Sequence, residues 1–433
     1  MYSFDKSTSV WKESCKVFTG GEGSQGRTWL FPICLTHGKG SRVWDIDGNE
    51  FIDFMLAYGP LIMGHSHPAI VKAVQEQAAK ALVNGHLHEG EGILARKIVS
   101  LLPHMEQVRF NISGSEADQA AIRVARTYTK RNKILKFMGQ YHGWMDNVLV
   151  SGAATKEAQM GPYDAPNAVI ISKGQPPSVL EDVLVCHFND LDQVERMLKK
   201  HAGEVAAIIT EPMMSNAQII PPQPGFLQGL KDLAHAHGAL LIYDEVVSGF
   251  RIDLRGGAGY FGVTPDITVF GKALGGGIPI SCIGASKEIM SVIHKDGAIH
   301  LGTYNSNPLA VAAANATLDY LTAREAEVYP RMKRLGLRLQ NGIREAFAPK
   351  GYPIRVQGTE SLFAVMFVDQ EVRNFADTFK INTDLLKKYK VELYRHGIMV
   401  RPELRDIWYL STEHTDADID QALTIINDIA KRI

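Results

Sequence analysis

From about Val108 onward, short apolar runs recur at Lys133 to Phe137, Ala168 to Ile171, Val205 to Thr210, Ala239 to Tyr243 and Ile267 to Phe270, separated by helix-compatible stretches. Strands that alternate with helices do not pair as hairpins; they line up in parallel, with the crossover helices covering the sheet. The chain is therefore predicted to be α/β, with a mostly parallel central sheet and helices on both faces. The nearly unbroken apolar character of the runs agrees, because such a sheet is buried on both sides. Helical patterns are also expected at Ala69 to Leu82, Glu91 to Leu102 and Pro308 to Glu325, and a smaller α+β C-terminal lobe from Val356 onward. Arg42 to Phe54 alternates apolar and polar residues around Asp47-Gly48-Asn49, the pattern of a hairpin. The expected division is an N-terminal segment with the hairpin over 1–65, a large domain over 66–320 and a C-terminal small domain over 321–433.

Open α/β sheets place their ligands at the carboxyl ends of the strands, and three such places carry chemistry here. The run Ile267 to Phe270 breaks directly into Gly271-Lys272-Ala273-Leu274-Gly275-Gly276-Gly277, where the glycines let the chain bend sharply and aim the Lys272 amine into a cleft. A partly desolvated lysine has a lowered pKa and condenses with an aldehyde as a Schiff base. Ala239 to Tyr243 delivers Asp244, a buried carboxylate that needs a cationic partner. Asn111-Ile112-Ser113-Gly114-Ser115-Glu116 opens a helix, so Gly114 and Ser115 present backbone amides and a hydroxyl suited to a phosphate. A Ser-Gly-Ser turn is also an ordinary N-cap, and strands ending in Asp-Glu are common. In this order, aldehyde, cationic ring nitrogen and phosphate describe pyridoxal 5'-phosphate, held by Lys272, Asp244 and Gly114/Ser115.

Composition narrows the class. With 433 residues the chain can bury a large core, and 46 basic against 47 acidic residues give no footprint for nucleic acid. Cys15, Cys34, Cys186 and Cys282 are scattered without CxxC spacing, which favours reduced thiols. The pairs His65/His67, His86/His88 and His235/His237 share HxH spacing but lack a clustered third ligand, so no metal is expected. No apolar run approaches the ~18 residues of a membrane span, and the start lacks a signal-peptide core. The expectation is a soluble cytoplasmic protein with small-molecule partners, and neither nucleic acid nor membrane among them.

Val43 to Asp53, Gly64-His65-Ser66-His67-Pro68, Ser113 to Glu116, Tyr141-His142-Gly143, Glu211-Pro212, Asp244 to Arg251, Pro265 to Gly277 and Gly302 to Pro308 stand together in register. Over nearly its whole length the chain resembles the class III pyridoxal-phosphate aminotransferases. Within that class it is most similar to the glutamate-1-semialdehyde 2,1-aminomutases. The resemblance implies the fold-type I transferase architecture and a homodimer with active sites at the subunit interface. It implies Tyr141 stacking on the cofactor with His142 beside it, Val246 on the opposite face, and Glu211 and Asn216 near the ring hydroxyl. Glu211 could equally serve as a structural partner for an arginine. Thr303 would contact the phosphate of the neighbouring subunit's cofactor.

The chain departs from the aminomutases where substrate is handled. Gly161 to Asn167 replaces a serine- and proline-rich gating loop, and Arg401-Pro402-Glu403-Leu404-Arg405-Asp406 replaces small, aromatic or acidic residues. Arg401 or Arg405 could hold a substrate carboxylate, or pair on the surface with Glu403 or Asp406. Arg27 sits where the aminomutase places a substrate-carboxylate arginine, with Trp29 beside it. The favoured expectation is an aminotransferase that moves an amino group between an amino acid or related amine and a keto or aldehyde acceptor through a Lys272 Schiff base. The alternatives are a glutamate-1-semialdehyde-type aminomutase and an amino-acid racemase or epimerase of the same fold. A silent binding protein fits poorly with the full set of cofactor residues.

Overall fold

The structure is a computed structural model that describes residues 1–433, apart from the side chain of Lys350. The chain divides into two units: Met1–Pro68, Glu325–Glu371 and Lys380–Ile433 form the first, and Ala69–Arg324 with Val372–Phe379 the second.

The first unit opens with the helix Asp5–Ser14, followed by β1 (Leu35–Lys39), β2 (Arg42–Asp45) and β3 (Glu50–Asp53). β2 and β3 pair antiparallel, with Val43 opposite Phe51, as their alternation predicts. Gly48, at φ +90°, takes the left-handed turn position, and the Asp45 carboxylate accepts from the Asn49 amide at 2.8 Å.

The second unit is built on β4 (Gln107–Asn111), β5 (Lys133–Phe137), β6 (Val183–Cys186), β7 (Val205–Thr210), β8 (Leu240–Glu245), β9 (Ile267–Phe270) and β10 (Ser281–Ala285), in the order β4-β10-β9-β8-β7-β5-β6. β5 to β9 are mutually parallel; β10 alone runs against its neighbours β9 and β4. Every residue of β7, β8 and β9 is buried, which is why these three strands are continuous apolar runs. The helix Gly114–Thr129 lays Ala117, Ala121, Ile122 and Ala125 into one core with Ile209, Ile242, Val269 and Ile283. On the other face the helix Phe226–Ala236 sets Phe226 edge-on to Phe137, with ring centroids 5.7 Å apart.

One expected strand is absent. Ala168 to Ile171 makes only an isolated bridge, Ile170 to Val150, and the sheet edge beside β5 is taken by Val183–Cys186. Both runs are short and apolar, and a sheet has one place at each edge. The winner pairs with β5 in parallel along four residues, Ile134 to Phe137. The expected helices form as Pro68–Ala78, Glu89–Leu101 and Pro308–Ala323, the last capped by Asn307 Oδ1 accepting from the Ala310 amide at 2.9 Å.

The remainder of the first unit contains β11 (Arg355–Gly358), β12 (Leu362–Met366), β13 (Ile398–Met399) and β14 (Trp408–Tyr409). β11, β12 and β14 form an antiparallel sheet, while β13 joins β3 in parallel. Inside the helix Glu325–Phe347, Gly336 lies so close to the Glu360 carbonyl that an added Cβ would stand 1.7 Å from its oxygen. Gly336→Ala is therefore expected to destabilise the protein by about 3 kcal/mol or more, seen as a lowered melting temperature. An unchanged melting temperature would refute this packing. Among the described residues, no helix is long and apolar enough to cross a membrane.

Candidate active site

β9 is buried along its whole length and ends at Gly271, so the next residue is delivered at the edge of the core. That residue, Lys272, has φ +40°, a conformation non-glycine side chains adopt only at a cost. The turn Lys272–Gly275 then closes on Gly276 at φ +56°, where an added Cβ would stand 2.4 Å from Ile70 and 2.6 Å from the Thr317 hydroxyl. The glycines thus shape the turn that presents the lysine.

Asp244 is the penultimate residue of β8 and only 5% exposed. Its Oδ1 accepts from the Val246 amide at 3.0 Å, and its Oδ2 accepts from His142 Nδ1 at 2.8 Å. His142 is wholly buried, and burial holds its imidazole below the ordinary value against the pull of Asp244. A neutral ring that donates from Nδ1 leaves Nε2 as a bare acceptor, and Nε2 has no partner.

Two further carboxyls crowd this strand end. Glu211 is pushed up to about 8, first by burial and then by the charge of Asp244, with Lys272 the chief opposing influence. Its Oε2 accepts from the Ser215 amide at 3.0 Å and from Asn216 Nδ2 at 3.3 Å, while Oε1 is unpartnered. Its partners are thus Ser215 and Asn216 rather than an arginine. Asp118 is raised well above the usual range by burial and by Asp244 and Glu211, and its Oδ1 is also unpartnered. At neutral pH Glu211 is biased toward its acid form, and Asp118 is shifted in the same direction.

The helix Gly114–Thr129 brings the third element. Ser113 and Glu116 form a capping box, in which Ser113 Oγ accepts from the Glu116 amide and Glu116 Oε2 accepts from the Ser113 amide. The cap falls to Ser113, so Ser115 is not needed for it. A Cβ on Gly114 would stand 2.9 Å from Val246, and one on Gly143 2.7 Å from Ser115 Oγ. Gly114, Ser115, Val246 and the Tyr141–Trp144 segment therefore converge, with Tyr141 40% exposed beside them. Thr303 is exposed in the turn before Pro308–Ala323.

Arg27, Trp29, Arg401 and Arg405 all lie in the first unit. A cavity of about 350 Å³ there is lined by Arg27, Phe31, Met55, Tyr58, Tyr394 and Pro402, among others. Glu22 braces the Arg27 turn by accepting from the Gly26 amide at 3.1 Å and the Thr28 amide at 2.9 Å. Arg401 Nε donates to Glu403 at 2.9 Å, and its guanidinium stands 5.6 Å from the centre of the Tyr58 ring. Arg405 is lowered to about 10, by burial first and then by the Arg401 charge. The ion pair foreseen for Arg401 with Glu403 is formed, whereas Asp406 pairs with Lys390. Trp29 is 47% exposed.

Tyr58 ends a run of three non-glycine residues in the left-handed region, Leu56, Ala57 and Tyr58 at φ +47°, +54° and +68°. Asp53 fixes that run by accepting from the Met55 and Leu56 amides at 2.7 and 2.9 Å, and is itself held by His65 at 2.7 Å. No motif announced it. Two of the other paired histidines are likewise engaged, His235 with Asp266 at 3.0 Å and His88 with the Ser306 carbonyl at 2.7 Å. Among the described residues, no group of three or more His, Cys, Asp or Glu could hold a metal.

Residues 24–430 match the family described as Aminotransferase class-III. The chain belongs to that family. Among curated relatives, glutamate-1-semialdehyde 2,1-aminomutase 1 of Listeria welshimeri is 39% identical, with the whole of both chains covered. Among solved structures, an omega-transaminase from Sphaerobacter thermophilus superposes with a TM-score of 0.91 at 32% identity, covering 98% of this chain and 97% of that one. A β-phenylalanine aminotransferase from Variovorax paradoxus gives a TM-score of 0.87 at 30% identity, with 98% and 93% covered. The class III aminotransferase is an enzyme whose cofactor is pyridoxal 5'-phosphate. Its residues fit that group: the orphaned Glu211 Oε1 and His142 Nε2 are buried polar atoms awaiting partners, and the tight Gly114–Val246 approach opens a helix N-terminus to an anion.

Proposed function

We propose that this class III aminotransferase moves an amino group between two molecules, one an amino acid or related amine whose carboxylate is held by Arg27, with Arg401 or Arg405 assisting. The observation that carries this reading is the first unit's cavity, where apolar walls of Phe31, Met55 and Tyr394 surround one lining guanidinium. An apolar body with one acid group suits that lining. The acceptor is a keto or aldehyde compound, and the protein is a cytoplasmic homodimer with Thr303 reaching the phosphate site of the partner subunit.

When bound, pyridoxal 5'-phosphate supplies an aldehyde that condenses with amines and a ring that takes up the electrons of a broken C–H bond. Lys272 would hold that aldehyde, and its Nζ, when free, would take the proton from the substrate carbon. Asp244 keeps a proton on the ring nitrogen, and His142 fixes its carboxylate through Nδ1–H. Glu211, kept as an acid, donates to the ring hydroxyl oxygen with Asn216 beside it. Gly114 and Ser115 bind phosphate, while Tyr141 and Val246 hold the two ring faces.

Intramolecular transfer is the second reading, favoured by the 39% identity to an aminomutase. Against it stands the segment Gly161 to Asn167. Tyr163 stacks on His187 at 4.2 Å and 8°, and its carbonyl accepts from Gln193 at 2.6 Å, so this segment is tied down where the aminomutases carry a gating loop.

The test compares the donors 3-amino-3-phenylpropanoate and L-alanine with 1-phenylethylamine and ethylamine, which lack their carboxylates, and includes L-glutamate as a third acid donor. Arg27→Ala is expected to raise the KM of the favoured acid about 100-fold, the worth of a charge-assisted pair, and to leave its decarboxylated counterpart unchanged. Equal losses on both would contradict the assignment.

A further inference from the structure

We infer that the buried Lys390–Asp406 pair is a positioning device that sets the shape of the 401–405 segment and so aims Arg401 at a carboxylate-bearing substrate. The inference rests on the reading above, that these arginines serve the substrate's acid group. Lys390 lies on the helix Thr383–Arg395, and both its side chain and that of Asp406 are fully buried. Its Nζ stands 3.0 Å from Asp406 Oδ1 and donates to the carbonyls of Arg401 at 2.9 Å and Glu403 at 2.5 Å, with the Arg405 carbonyl at 3.5 Å. Asp406 Oδ2 accepts in turn from Trp408 Nε1 at 2.6 Å and from the Val365 amide at 2.9 Å.

This arrangement does more than satisfy a charge. Carbonyls from three alternate residues, 401, 403 and 405, turn toward one ammonium, so a stretch with no helix or strand of its own between β13 and β14 is given a single curl. A buried ion pair is a poor source of stability, since apolar residues of like size often serve as well. What it supplies is definition of shape, because one fixed ammonium gathers the carbonyls of three residues in a segment without regular structure. The segment so defined carries Pro402 in the cavity wall and Arg401 over the Tyr58 ring. A guanidinium needs its backbone fixed to meet a carboxylate in bidentate geometry, and a shift of one ångström is enough to lose it.

The experiment uses the holoenzyme. Lys390→Met and the charge-free double variant Lys390→Met/Asp406→Asn, which keeps an acceptor for Trp408, are assayed with the best carboxylate donor of the panel and with its decarboxylated amine. Melting curves and hydrogen exchange over 401–406 are recorded beside the kinetics. The expected result is a KM for the acid raised about tenfold or more, kcat and the simple amine within about twofold of wild type, and faster exchange in 401–406. If Lys390→Met does not fold, the double variant carries the test, and Asp406→Asn is expected to give the same pattern more weakly. A folded variant in which both donors keep their KM, or lose equally, overturns the inference. Failure of the wild type to prefer any acid over its decarboxylated amine would overturn the underlying reading separately, whatever Lys390 does.

Discussion

Lys272→Ala is expected to lower transamination by at least ~10⁴-fold, because in the role proposed for it one residue provides both the covalent anchor of the resting enzyme and the base for the substrate proton. The geometry leaves little room for a substitute. Lys136, a fully buried lysine, is lowered to about 7 by burial, but its Nζ is spent on the Gln140 and Val150 carbonyls at 3.0 and 2.5 Å. Lys272 alone stands at the end of β9, in a strained conformation fixed by Gly276. The measurement is keto-acid release per active site, with cofactor content and melting temperature confirming that the variant is folded and loaded. Activity within about 100-fold of wild type would remove Lys272 from its proposed role.

Asp244→Asn is expected to cost about 10²- to 10³-fold, the usual loss when one preorganised charge is removed from a buried site. Its carboxylate is fixed by the Val246 amide and by His142, so an amide can occupy the same volume. What the amide lacks is the charge that holds a proton on the ring nitrogen. The change also reaches neighbouring groups. Asp244 is one cause of the upward shifts of Glu211 and Asp118, so both acids should fall toward the ordinary carboxylate range in the variant. The alkaline limb of the pH–rate profile, where Glu211 loses the proton it donates, would then move to lower pH along with the loss of rate. A variant with near-normal turnover would show that the ring nitrogen needs no buried anion.

Much of this site can be read from sequence because its chemistry sits where short strands end. A run such as Ile267 to Phe270 can hardly be anything but a buried strand, and the residue after it must then face a ligand. The same logic yielded Asp244 at the carboxyl end of β8. It could not choose between Ala168–Ile171 and Val183–Cys186, since composition is alike and only competition for β5 decides. Asp118 went unnoticed although it lies on the apolar face of its helix, among Ala117, Ala121 and Ile122, where an acidic residue is out of place. The Leu56–Ala57–Tyr58 turn had no such signal. None of the three is a glycine or asparagine, and the turn is entered through local hydrogen bonds from the Met55 and Leu56 amides to Asp53, whose other oxygen is held by the more distant His65. The tie between Lys390 and the 401–405 carbonyls was equally hidden, because a lysine in a helix pattern reads as solvated.

The most direct test of intermolecular transfer is a single turnover of the loaded enzyme with 3-amino-3-phenylpropanoate, L-alanine or L-glutamate, without acceptor, followed by the cofactor's absorbance and an assay of released keto acid. The account predicts one equivalent of keto acid per active site from at least one donor, with the absorbance change persisting until an acceptor is added. Absorbance that changes and returns with no keto acid released, for every donor, would contradict it and place the amine transfer within one molecule.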